Sequence, residues 1–411
     1  MRSSENMSKY RRIFPFVTAG LCVVLLLLAY SIVVLFRALP LYDFLKIRQL
    51  EPMQNVGKTI GRQFDFDPVL GAVLAANAQG FALIPKGSPV PFHHDDDGVR
   101  APLGVPHMFR GDKHPRLLFL GDSFTYGQLL AAEDTFAYKA GLKLGGESVN
   151  AGVPGYGLAQ MVLQARKMIP KYRPDYVIVQ YSPWLVTRAQ TEFATDTFGT
   201  VMAPYFYDDK EGVSIAGAPF TLPARLLPLI EEYKASPPSL HDKVSFLARF
   251  AFPLFWHRDV HLAALRIRQW LGLVPEPSQR PDAIVRAAYA EIDRIAGQSG
   301  AKTVVLTLGS STLLDVPEQL FPSGIAAVPG WSIMVGLLNP RTPDEYVRQY
   351  FFWRGSPPEP VDWHPNEHAH EVIAVAVADR IRGLDARKSR SPSLPAYLLR
   401  EPALERAVNG R

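Results

Sequence analysis

The chain of 411 residues has a single cysteine, Cys22. That excludes an intrachain disulfide framework and any zinc site built on cysteines. Clustered positive charge is also missing. The formal net charge is only +5, and no Lys/Arg-rich block with interleaved aromatics stands out, so nucleic acid is not an expected partner. Charged residues make up 20% and hydrophobic ones 47%, which excludes a disordered chain and allows a substantial core. No internal repeat is found.

One stretch lacks charge altogether. Residues 13–36 carry no Asp, Glu, Lys or Arg and would span about 36 Å as a helix, enough to cross a bilayer with some tilt. The run is too long for the usual apolar part of a signal peptide. Ala29-Tyr30-Ser31 has the small-x-small form of a cleavage site, but the apolar run continues from Ile32 to Phe36. An uncleaved anchor is the expected reading, ahead of a cleaved signal or a buried soluble helix. Arg2, Lys9, Arg11 and Arg12 precede the run against Glu5 alone, whereas Arg37, Lys46 and Arg48 follow it with Asp43. This modest bias predicts a cytoplasmic tail (1–12), one span (13–36) and the rest outside the cytoplasm, in the periplasm if the cell is Gram-negative.

Residues 37–112 show no strong helical period and read as a membrane-proximal connecting region of short strands and turns. Within it, His93-His94-Asp95-Asp96-Asp97 suggests a metal cluster at first sight. Neighbours on an extended chain point to opposite faces, so a solvated turn closed by Gly98 is expected instead.

From residue 113 to 383 strands and helices alternate. Strands are predicted at Arg116–Leu120, 148–150, Tyr176–Tyr181 and 303–308. Helices are predicted at 134–144, at 158–169 with a stop at Pro170, and after a cap at Asp282. A closing helix follows His364, with Ile373, Val377 and Ile381 on one face. This rhythm predicts an α/β fold, a three-layer α/β/α sandwich around a parallel sheet. Residues 185–280 interrupt it with proline and aromatics and read as an insertion shaping the rim of a site; its aromatics are expected to pack against the core, with contact to a membrane surface or a partner as the alternative. Residues 384–411 form a basic tail, expected to be disordered.

The chemistry concentrates at two places. The run Leu117-Leu118-Phe119-Leu120 empties into Gly121-Asp122-Ser123, which puts a serine where open α/β sheets place their ligands. Far downstream, Asp362-Trp363-His364-Pro365-Asn366 supplies an acid and a base on one short segment. Serine, carboxylate and histidine are the ingredients of an activated hydroxyl nucleophile, with His364 as base and Asp362 orienting its ring. Asp122 is expected to fix the turn by hydrogen bonds rather than to act as a base.

Gly121-Asp122-Ser123 resembles the first block of the SGNH (GDSL-type) hydrolase superfamily. Residues 150–157, Asn-Ala-Gly-Val-Pro-Gly-Tyr-Gly, resemble its second block, and the 362–366 segment resembles its fifth. The resemblance implies Ser123 as nucleophile, with the backbone N–H groups of Ser123 and Gly155 forming an oxyanion hole. Asp122, Asn150, Gln160, Trp184 and Tyr126 are candidates for lining the pocket. It further implies a membrane-anchored serine esterase, or an acyltransferase, acting on an acylated small molecule or an envelope polysaccharide without metal or cofactor.

Two departures stand out. The third block normally supplies an asparagine to the oxyanion, yet no asparagine occurs between Asn150 and Asn339. Gln180, Ser182 and Trp184 are the candidate replacements. In the fifth block one residue, not two, separates acid from base, so Asp362 must approach the ring from a different angle. The missing asparagine keeps open a rival: a non-catalytic carbohydrate-binding or assembly protein on the same fold.

Overall fold

The computed structural model describes residues 2–50, 58–83, 88–105, 113–193, 202–221, 223, 225–312, 320–354 and 359–389. The first element is one helix, α1 (Arg2–Leu50), that does not stop at Phe36 but carries on through Pro40. Its stretch Phe14–Asp43 is long and apolar enough to cross a membrane, and residues 14–29 of it are exposed. Five short strands follow: β1 (Lys58–Ile60), β2 (Phe64–Asp67), β3 (Gly71–Leu74), β4 (Gln79–Leu83) and β5 (Val90–His93). All their pairings are antiparallel.

The body of the chain is built on β6 (Arg116–Leu120), β7 (Glu147–Asn150), β8 (Tyr176–Tyr181), β11 (Lys302–Thr307) and β12 (Ala326–Val328). They form one parallel sheet in the order β12-β11-β8-β6-β7. Side chains alternate along β6. Leu118 and Leu120 enter one core with α4 (Leu158–Tyr172) and α9 (Pro281–Gln298). Leu117 and Phe119 enter the other with α3 (Phe136–Lys143) and α12 (Glu367–Ser389). Two apolar faces on every buried strand require helices on both sides, and the result is the three-layer α/β/α fold.

Some boundaries differ from the sequence reading. β12 was not anticipated, because three residues are too few for a periodic signal. The helix α4 continues past Pro170, and Arg173 in the left-handed region (φ 44°) ends it. Asp282 lies in the first turn of α9 behind Pro281 rather than at the cap. The helix α12 runs to Ser389, into the stretch expected to be disordered; residues 390–411 of that tail lie outside the described residues.

Between β8 and β11 the chain leaves the sheet. After α5 (Pro183–Ala189) come the hairpin β9 (Tyr205–Asp208) and β10 (Val213–Ala216), then α6 (Leu226–Ala235), α7 (Leu240–Phe246) and α8 (Phe252–Trp270). Leu226, Ile230, Tyr233, Phe246, Phe250, Leu254 and Phe255 close on Val34, Ala38 and Tyr42 of α1. The insertion therefore packs against the long helix as well as against the sheet, where Phe206 joins the core. The chain ends through α10 (Gly330–Gly336), α11 (Pro343–Tyr350), and the antiparallel pair β13 (Phe351–Arg354) and β14 (Glu359–Pro365) before α12.

Candidate active site

In chain order the sheet strands run 2-1-3-4-5, so the winding reverses between β6 and β8. The crevice at the carboxyl ends of those strands is where such sheets bind ligands. The Gly-Asp-Ser turn leaves β6 at that point. Gly121 is required there, because a Cβ would collide with Thr125 Oγ1 and the side-chain oxygen of Gln180. Ser123 opens α2 (Ser123–Tyr126) and is 8% exposed.

Asp122 is fully buried and accepts four hydrogen bonds. Its Oδ1 receives the Phe124 N–H (3.0 Å) and Gln180 Nε2 (2.8 Å). Its Oδ2 receives the Trp184 indole N–H (2.6 Å) and Arg188 Nη1 (2.8 Å). A buried carboxylate is tolerable only when paired and saturated in this way, and it ties the turn to β8 and to α5 at once. Arg188 Nη1 also donates to Tyr156 O (3.0 Å), so one guanidinium ties the Gly-Asp-Ser turn to the 150–157 loop.

Asn150 and Gln160 are buried and spend their side chains on backbone groups. Asn150 donates to Thr125 O (2.8 Å) and accepts from Gly152 N (3.1 Å), stitching the loop to α2. Gln160 accepts from Gly157 N (2.9 Å) and donates to Leu70 O (3.0 Å). Tyr126 is 1% exposed and lies beneath the turn, its hydroxyl 3.0 Å from His94 Nε2 and its ring 4.2 Å from the Arg100 guanidinium carbon. Trp184 alone of the four is partly exposed at the site, its indole edge-on to Phe124 at 4.9 Å between centroids.

The expected replacements for the missing asparagine are all occupied. Gln180 spends both N–H bonds on Asp122 Oδ1 and Ser182 Oγ (2.9 Å), while its oxygen takes the Asp122 N–H (3.1 Å) and Thr125 Oγ1 (2.7 Å). Ser182 donates to Leu308 O (2.9 Å), and the Trp184 N–H is held by Asp122. Among the described residues, neither Ser123 N–H nor Gly155 N–H donates a hydrogen bond. Gly155 sits at φ +87°, a backbone state that favours glycine.

β14 brings the acid and the base. One oxygen of Asp362, Oδ1, lies 2.5 Å from His364 Nδ1 and also accepts the His364 backbone N–H at 2.7 Å. The closer spacing is therefore accommodated, because the carboxylate folds back over its own turn. The carboxylate is 4% exposed, and the His364 ring faces Phe124, the neighbour of Ser123, at 5.7 Å between centroids. No hydrogen bond joins Ser123 to His364 among the described residues; such bonds are often long before substrate arrives. Asn366 caps α12 by accepting from Ala369 N (3.0 Å), which anchors the segment behind the histidine.

The 93–97 run does turn at Asp96–Asp97 ahead of Gly98, with Asp96 exposed, but the residues before that turn are not solvated. His94 and Asp95 are fully buried, and Asp95 Oδ1 accepts the N–H groups of Asp97 (2.9 Å) and Val99 (3.0 Å). Burial first, and Arg100 next, push His94 down to about 3, so it is a neutral prop under Tyr126. Arg100 joins the same strap to β7 through Asn150 O (3.0 Å). The connecting region thus supports the turn that carries Ser123. Sequence reasoning missed this, and missed Arg188. The spacing of Trp184 and Arg188, four apart on one helix face just after the third strand, was the available signal.

No protein-family profile matches the chain, and no curated protein matches it. Among solved structures it is similar to a protein described as lipolytic and of the G-D-S-L family from Desulfitobacterium hafniense DCB-2. The match covers 65% of this chain and 99% of that one, with 10% identity and TM-score 0.31. It is similar to LAE5, an α/β hydrolase from the metagenome of Lake Arreo, over 66% and 97%, with 12% identity and TM-score 0.34. A variant of Axe2, an acetylxylan esterase from Geobacillus stearothermophilus, matches over 66% and 96%, with 16% identity and TM-score 0.25. The chain itself carries a three-layer α/β/α fold around a parallel sheet, with the Gly-Asp-Ser turn after β6, the 150–157 loop after β7 and the Asp362–His364 pair on β14.

Proposed function

We propose that the chain is a membrane-anchored serine hydrolase that cleaves ester bonds through an acyl-serine intermediate, with its catalytic half outside the cytoplasm. The observation that carries this reading is the Asp362–His364 pair set against the residue next to Ser123, at the crevice where two backbone N–H groups are unpartnered. With Nδ1 bound by Asp362, the imidazole presents Nε2 to the serine hydroxyl. His364 takes the Ser123 proton as Oγ attacks the ester carbonyl, then returns it to the leaving alkoxide. The N–H groups of Ser123 and Gly155 receive the oxyanion. Water, activated by the same histidine, releases the acid; a sugar hydroxyl in its place would make the protein an O-acetyltransferase of an envelope polysaccharide.

Occupation of Gln180, Ser182 and Trp184 favours a second reading, a carbohydrate-binding or assembly protein that kept the fold with weakened chemistry. Labelling of the full-length protein with a fluorophosphonate separates the two. Labelling lost in Ser123→Ala supports the enzyme. No labelling, or labelling unchanged in that variant, sinks it. Acetate release compared with transfer to an oligosaccharide then distinguishes hydrolysis from transfer.

A further inference from the structure

The helix α8 has two unlike faces. Leu254, Phe255, Leu265 and Gln269 are buried against the protein. Phe252, Trp256, Val260, Ile267 and Trp270 share the opposite face and are exposed, Trp270 by 83% and Ile267 by 57%. Steps of four, four, seven and three residues keep all five within a single helical stripe. The neighbouring α7 adds Leu240 (80%) and Val244 (55%), again four apart.

The position of this stripe relative to α1 decides what covers it. Tyr30 of α1 meets Phe252 at 6.0 Å and Trp256 at 5.5 Å between ring centroids, and its hydroxyl donates to Asp259 (3.1 Å). Asp259 also pairs with Arg37 at 2.7 Å. Tyr30 lies six positions before Phe36, the last residue of the uncharged run. At 1.5 Å per residue, what touches Tyr30 sits roughly 9 Å inside the end of that run. If α1 crosses a bilayer, Phe252 and Trp256 lie just inside its boundary, at the depth an interfacial helix occupies. A continuous stripe of Trp, Phe and aliphatic side chains on one exposed helix face is the composition of a helix lying in a membrane interface. Of the arginines on α8, Arg258 is turned inward onto Asp259 and Phe255 and Arg266 pairs with Glu192, while Arg268 is exposed.

We infer that α8 lies in the bilayer interface beside the span, its Phe252–Trp256–Val260–Ile267–Trp270 stripe buried in phospholipid. The insertion is thereby a second membrane contact, additional to the anchor and continuous with it through Tyr30. This rests on the anchored reading above, and the test separates the two.

The full chain carrying Cys22→Ser receives one new cysteine at a time, labelled with an environment-sensitive fluorophore. It is reconstituted into vesicles of phosphatidylethanolamine and phosphatidylglycerol containing an acyl-chain spin label. The positions are Leu26→Cys in the span, Val260→Cys and Ile267→Cys on the stripe, and Lys167→Cys on an exposed part of α4. The inference expects quenching by lipid at 26, 260 and 267, several-fold above that at 167. Quenching at 26 with 260 and 267 no different from 167 overturns the α8 contact and leaves the anchor standing. No quenching at 26 overturns both. Protection of 260 and 267 from a water-soluble quencher without quenching by lipid assigns the stripe to a second copy of the chain and also overturns the inference.

Discussion

One carboxylate oxygen of Asp362 holds His364 twice, at the ring Nδ1 (2.5 Å) and at the backbone N–H (2.7 Å). The first contact fixes the tautomer and the second fixes the turn that aims the ring. Asp362→Asn should therefore lower kcat by about 10³–10⁴-fold while leaving KM within a few-fold, because the wrong ring nitrogen then carries the proton. Steady-state hydrolysis of an activated ester checks it. An unchanged kcat would remove Asp362 from the mechanism.

Gly155 offers a separable test of the oxyanion hole. An alanine there must adopt φ near +87°, which costs about 1–2 kcal/mol. It also displaces the N–H from the developing charge, worth ~10²–10³ in turnover. Gly155→Ala should lose activity far in excess of its small loss of melting temperature. Equal kcat in a folded variant would assign the oxyanion elsewhere.

Gln180 is a brace, not a donor to substrate, since its four polar contacts are all internal. Gln180→Leu should destabilise the protein by about 2–4 kcal/mol by stranding the Asp122 N–H, one Asp122 acceptor and Thr125. Gln180→Asn should not raise activity, even though it restores the residue type of the third block. Denaturant unfolding and ester turnover read the two effects separately; a faster Asn variant would contradict the assignment.

Acid should weaken the fold through two buried histidines. Burial pushes His94 and His370 down to about 3 from the ordinary 6.5, with Arg100 also acting on His94 and with Lys139, Arg100 and His364 also acting on His370. Between those values the unfolded chain binds more protons than the folded one, so stability rises with pH. It is complete above about 6.5 and is lost as pH falls toward 3. At pH 5 each histidine removes about 2 kcal/mol. His370→Gln keeps an acceptor for the Phe136 N–H (2.8 Å to Nδ1) and should flatten the fall in melting temperature between pH 7 and 5. An identical slope would exclude His370 as a source.

The sheet was legible because its strands are short, continuous apolar runs ending in turn residues; Arg116–Leu120 and Tyr176–Tyr181 lie where that pattern places them. The contact between Asp362 and His364 was legible for a different reason, since the two lie two positions apart on one short segment. What stayed hidden was contact between distant segments. Nothing local in His94 announces that it will sit under Tyr126, and a run of histidine and aspartate looks polar until its partners are known. The same holds for Arg188, whose importance lies in touching both Asp122 and Tyr156.

The insertion leaves the sheet through α5, which carries Trp184 and Arg188 onto Asp122, and its helices α6 to α8 then close around Val34, Ala38 and Tyr42. α1 and the Gly-Asp-Ser turn are thus joined by packing as well as by chain. A domain on a loose tether sweeps a volume and meets substrates at any height. Here Ser123 stands at a fixed distance from α1, so under the proposed function a substrate would have to offer its ester at that height as well as fit the crevice.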